Sequence, residues 1–284
     1  MNRRAVLPAI VLAGLLLTAC GADGEADGAT TTIGPSTSAD APPSTTTSPT
    51  VPATTVLTPQ ALPGGSLDVL VLGDSVMFDA AAAIEAAVES GGTATVQSSA
   101  VLGFGFSDGA AVPFSAAAPD LLEQGPAEQV VVMVGSWDHL AVQRDPEAYA
   151  ASVRAALEDL AAGGRSVLLL GEPPSAPEKG EEEARLALND VLAAEAAGVA
   201  GVRYLPTDTV IGGADGAYLA TADGELLRKP DGRHLCPAGA VRFGTAVRDA
   251  LSESWVLAPA DPGWATEAWR DDPRYDDPPG ACVG

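Results

Sequence analysis

Histidine is nearly missing from this 284-residue chain, which has only His139 and His234. With three cysteines beside them, no Cys/His cluster reaches metal-ligand spacing; this disfavours a metallohydrolase and leaves no cofactor to expect. A phosphate-cradling Gly-x-x-x-x-Gly-Lys run is absent as well. Basic residues are scarce: 15 Lys and Arg stand against 38 Asp and Glu, a formal net charge of −23. A surface of that sign repels phosphate arrays, which argues against nucleic acid and anionic membrane surfaces as partners.

Arg3 and Arg4 precede an apolar run from Ala5 to Leu17 that is too short to span a bilayer comfortably and has the order of an export signal. The run ends in Leu17-Thr18-Ala19-Cys20, which resembles the bacterial lipobox, where cleavage leaves the cysteine as the lipidated first residue. That implies an extracytoplasmic protein anchored to the cell membrane through Cys20; plain secretion is the alternative. From Gly21 to about Gly65 the chain is Thr, Ser, Pro, Ala and Gly, too poor in apolar side chains to offset the entropy of ordering. It reads as a tether with an r.m.s. reach of roughly 35–40 Å. Residues 66–284 remain as one domain. Cys236 and Cys282 are then an even pair in an exported chain, and a disulfide is expected between them, fixing the Trp- and Pro-rich tail near His234. A thiol nucleophile at Cys236 is the competing reading.

Within the domain, Leu67–Leu72 is a short apolar run with the pattern of a buried strand. Further strands are predicted over Thr93–Val101, Gln129–Val134, Ser166–Leu170 and Val202–Leu205. Helices are predicted over Asp79–Ser90, Ala116–Glu123, Pro146–Ala162, Glu181–Ala197 and Pro237–Ser254, several with Pro at the start or Gly at the end. The stretch from Thr207 to Leu235 reads as irregular, with a small hairpin or long loop. Such alternation implies an α/β fold: a three-layer, flavodoxin-like sandwich with a central parallel sheet of about five strands and helices on both faces. Ligands then belong at the carboxyl ends of the strands.

Gly73-Asp74-Ser75 follows the first strand and opens a helix, so the Ser75 hydroxyl faces the loop end, close to helix N–H groups that suit an oxyanion. Asp231-Gly232-Arg233-His234 precedes the last helix. Two intervening residues let the carboxylate turn back onto the imidazole and fix its tautomer, leaving the other ring nitrogen for a serine.

These blocks, in this order over about Leu67 to Ser254, resemble the SGNH/GDSL hydrolase family. The resemblance implies a serine esterase with Ser75 as nucleophile, His234 as base and Asp231 as its orienting partner. It also implies an oxyanion hole built from Ser75, a glycine of the loop Leu102-Gly103-Phe104-Gly105-Phe106, namely Gly103 or Gly105, and an asparagine of a Gly-x-Asn-Asp block. Here that block reads Gly135-Ser136-Trp137-Asp138, with tryptophan at the asparagine position. Either Trp137 lines the site and its indole N–H donates, or another group does, or turnover is slow or lost. The departure, with Asp231 to Pro237, resembles divergent SGNH domains of bacterial cell-surface acyltransferases. That implies an acylated envelope glycan or a small ester as substrate. Two other classes compete: a scaffolding lipoprotein that keeps the fold without turnover, and a flavodoxin-like domain of unrelated function.

Overall fold

The structure is a computed structural model and describes residues 58–123, 127–276 and Cys282. The export segment, Cys20 and most of the tether lie outside the described residues. The folded unit begins earlier than composition suggests. The N–H of Gln60 donates to the Ser254 carbonyl (2.8 Å), its carbonyl accepts from Val256 (2.9 Å), and Leu62 packs on the core. Residues 60–65 therefore belong to the domain and not to the tether; their partners lie at the far end of the chain, where local composition gives no sign of them.

Five strands form the central sheet: β1 Leu67–Gly73, β2 Ala94–Ala100, β3 Gln129–Met133, β4 Ser166–Leu170 and β5 Val202–Leu205. All pair in parallel in the order β2-β1-β3-β4-β5. Five long helices cover it: α1 Ser75–Glu89, α2 Phe114–Leu122, α3 Pro146–Ala161, α4 Glu182–Gly198 and α5 Pro237–Ser254. Period-two alternation divides the strand residues between two cores. Val69, Val71, Val131, Met133, Leu168 and Leu170 pack on α1 and α5. Leu70, Leu72, Val130, Val132 and Leu169 pack on α2, α3 and α4. This is the expected three-layer architecture. The predicted hairpin is present as Thr221–Ala222 paired with Glu225–Leu226.

Two local differences matter. Helix α1 starts at Ser75, four residues before the predicted Asp79, because the Asp74 carboxylate caps it by accepting from Val76 (2.9 Å) and Met77 (3.4 Å). A short helix over His139–Arg144 has no counterpart in the prediction, since six residues are too few to show a period.

The strand order reverses at β1, the strand that delivers Ser75, with β2 on one side of it and β3 on the other. At such a switch point the outgoing connections diverge and open a crevice at the carboxyl ends. Gly73 makes the tight turn possible: a Cβ there would lie 2.5 Å from the Cβ of Met77 and 2.7 Å from the Met133 carbonyl oxygen.

After α5 the chain runs back across α1 in short 3-10 turns. Trp264, Trp269 and Tyr275 form a small aromatic cluster there, packed with Ala83, Ala87 and Ala240. Cys236 and Cys282 are joined by a disulfide, with Cα atoms 5.4 Å apart. Among the described residues, no helix is long and apolar enough to cross a membrane.

Candidate active site

Ser75, His234 and Asp231 form one hydrogen-bonded chain. The Ser75 hydroxyl lies 2.8 Å from His234 Nε2, and His234 Nδ1 lies 2.7 Å from Asp231 Oδ2. The other oxygen of Asp231 accepts the backbone N–H groups of Arg233 and His234, both at 3.1 Å. Partial burial pushes the Asp231 carboxyl up, but the bonds from His234 and Arg233 outweigh it and hold the group at about 2. It is therefore an anion at any ordinary pH, suited to stabilise an imidazolium.

The loop carrying His234 is fastened to α1. Asp79, one turn beyond Ser75, accepts from Lys229 Nζ at 3.2 Å and from the Leu235 N–H at 2.9 Å. The backbone N–H of Lys229 donates to the His234 carbonyl (2.8 Å). Arg233 reaches the other way: it donates to the Ser136 hydroxyl (2.6 Å) and pairs with Glu181.

A cavity of about 350 Å³ opens at Ser75, lined by Phe78, Asp79, Leu102, Lys229, His234 and Arg274. Arg274 comes from the tail. Its guanidinium lies 4.7 Å over the Phe78 ring and donates to the Phe78 carbonyl (2.8 Å), while its own carbonyl accepts from Lys229 Nζ (2.6 Å).

Of the two candidate glycines, Gly103 is the better placed to donate. It adjoins Leu102 in the cavity wall and adopts φ +91°; its carbonyl accepts from Val112, while its own N–H has no partner among the described residues. Gly105 instead faces Asp138, whose Oδ1 would lie 2.6 Å from a Cβ built there. The N–H of Ser75, in the first turn of α1, is also without a helical acceptor. Trp137 does not line the cavity at Ser75. Its indole is half-exposed, with Cε2 3.8 Å from the Cβ position of Gly103, and it lines a neighbouring groove. Cys236 is held in the disulfide, so it offers no thiol.

Two acidic residues have roles beyond the sequence reading. Asp138 is fully buried and accepts from the N–H groups of Phe106 (2.8 Å) and Ser107 (3.0 Å) and from the Tyr149 hydroxyl (3.0 Å), so it shapes the glycine loop. Glu172 is buried beyond β4 against His139, Oε2 to Nε2 2.5 Å. It also flanks Gly135 opposite Asp74, and the Asp74 carboxyl is pushed up to about 6 by its burial and then by the Glu172 charge. Among the described residues no group of three or more His, Cys, Asp or Glu is placed to hold a metal ion.

This arrangement of sheet, loops and serine is the SGNH/GDSL hydrolase fold. The chain belongs to the SGNH-like family described as Protein of unknown function (DUF459), whose model matches residues 68–250. Among solved structures it is similar to a protein assigned to the lipolytic G-D-S-L family in Desulfitobacterium hafniense, at 15% identity and a TM-score of 0.50, covering 66% of this chain and 98% of that one. It is similar also to a catalytic mutant of Axe2, an acetylxylan esterase from Geobacillus stearothermophilus, at 13% identity and a TM-score of 0.50, covering 69% and 99%. No curated protein matches by sequence.

Proposed function

We propose that the protein is a serine esterase or O-acyltransferase acting on small acyl esters of cell-envelope glycans, held at the outer face of the bacterial membrane by lipid on Cys20. The observation that carries the proposal is the continuous Ser75–His234–Asp231 chain at 2.8 and 2.7 Å, opening onto a cavity at a strand-order switch point. His234 takes the Ser75 proton as Ser75 Oγ attacks the ester carbonyl. The N–H groups of Ser75 and Gly103 receive the oxyanion, and the imidazolium returns its proton to the departing alcohol. Water or a sugar hydroxyl, deprotonated by His234, then takes the acyl group from Ser75. A cavity of about 350 Å³ is at the small end of ligand sites and suits a short acyl group.

A second reading, a fold-retaining envelope lipoprotein without turnover, is favoured by one observation: no asparagine side chain stands at the position taken by Trp137. Removing one oxyanion donor costs roughly 10²–10³ in rate, which slows such an enzyme without silencing it. Labelling of the full-length chain with a fluorophosphonate serine probe decides between them. Labelling of the unmodified protein that is lost in Ser75→Ala and His234→Ala supports the esterase; an unlabelled folded protein sinks it.

A further inference from the structure

The groove beside the candidate active site has a lining unlike that of a hydrocarbon channel. It encloses about 360 Å³ between the glycine loop and the helices that follow Trp137. Trp137 and Leu140 form its apolar side and are 47% and 63% exposed, a large outlay of apolar surface for a soluble face. The same lining carries Ser107, Asp108, Arg144, Asp145 and Ser152, with Ala141, Ala148 and Tyr149 among them.

Two of those polar groups are without partners. Ser107 is 95% buried by residue, being 5% exposed, yet its hydroxyl makes no hydrogen bond. Buried hydroxyls in native proteins are nearly always paired, so an orphan that lines a groove points to a ligand that completes it. The Arg144 guanidinium likewise has no acidic partner among the described residues, in a chain with a large surplus of carboxylates.

The groove and the Ser75 cavity are walled by different residues, and the glycine loop runs from one to the other. Leu102 lines the cavity, while the next residue, Gly103, holds its Cβ position 3.8 Å from Trp137 Cε2. Trp137 is thus the groove residue that approaches the glycine loop carrying Gly103.

We infer that this groove is a carbohydrate subsite, with a pyranose ring lying on Trp137 and a ring hydroxyl paired with Ser107. An aromatic face with hydroxyl, carboxylate and guanidinium groups in the same lining matches a ring whose faces are apolar and whose rim is polar. An acyl chain would cover Trp137 and Leu140 but would leave the Ser107 hydroxyl buried and unpaired. The proposal rests on the esterase reading for the direction in which the sugar's ester points. Binding of the sugar itself is independent of turnover.

The test is calorimetric titration of the full-length Ser75→Ala protein with xylotetraose, cellotetraose and tetra-N-acetylchitotetraose. At least one binds, Trp137→Ala weakens its Kd at least tenfold, and Ser107→Ala weakens it about threefold without lowering Tm, because the lost hydroxyl holds no part of the fold. Arg203→Ala, at the far edge of the sheet, leaves Kd unchanged. Failure of all three sugars to bind overturns the subsite, as does binding that survives Trp137→Ala. So does a preference for p-nitrophenyl octanoate over p-nitrophenyl acetate that collapses in Trp137→Ala with Ser75 intact, which would give the groove to an acyl chain. Sugar binding by a protein that no fluorophosphonate labels would remove the esterase reading and leave the subsite standing.

Discussion

Lys229 and Asp79 form an ion pair at 3.2 Å in which both side chains are almost wholly buried. They come from opposite ends of the domain, and the backbone on either side of His234 hangs from them. The pair is the pin that holds the imidazole over Ser75.

Breaking one half of that pair strands a buried charge, which costs about 3–5 kcal/mol. Asp79→Ala is expected to lose that much in urea unfolding. The double change Asp79→Asn with Lys229→Met should lose clearly less than the two single changes summed, because it buries no unpaired ion. Additive losses would show that the pair does not act as a unit.

On the esterase reading, Asp231→Asn keeps the geometry but removes the charge that fixes the His234 tautomer, and kcat should fall about 10⁴-fold. Ser75→Ala should fall at least as far. Steady-state rates with p-nitrophenyl acetate check both; a loss of under tenfold in Asp231→Asn would take the carboxylate out of the mechanism.

Two carboxylates bend the pH dependence of stability in opposite senses. Asp231 is depressed to about 2 from 3.8, so the stability it gives is fully present above the unfolded value and is lost as pH falls from about 4 to about 2. Asp74 is raised to about 6, so the native state binds the extra proton between about 4 and 6 and stability falls as pH rises through that window. Asp74→Asn should flatten the curve between pH 4 and 6, and Asp231→Asn between pH 4 and 2, in denaturant titrations at stepped pH. A variant curve parallel to the parent in its own window rejects that assignment.

The disulfide closes a loop of 46 residues, and removing it should cost about 2–4 kcal/mol. Cys236→Ser with Cys282→Ser should lower Tm and, because Arg274 is then less firmly held in the cavity wall, raise KM for small esters more than it lowers kcat. Equal KM values would mean that the tail stays docked by Trp264, Trp269 and Tyr275 alone.

Much of this was legible in the sequence because it is local. Strands buried on both faces are written as apolar runs such as Val130–Val134, and Gly73-Asp74-Ser75 and Asp231 to His234 carry their chemistry within four residues. What the sequence hid depends on distance. Lys229 meets Asp79 across 150 positions, Glu172 meets His139 across 33, and Arg274 reaches the cavity only because the tail doubles back. Scarcity was the available hint for one of them, since Lys229 is one of only two lysines in the chain. Trp137 was legible as a departure but not in its consequence: aligned with a donor position, it lines the neighbouring groove and stays half-exposed.

The tail gives the cavity a second kind of fastening. Ser75, Asp231 and His234 are held by hydrogen bonds alone, whereas the wall carrying Arg274 belongs to a tail that a covalent bond, Cys236 to Cys282, also fastens. The rim of the cavity is thus tied to a redox reaction in a way that the hydrogen-bonded trio is not.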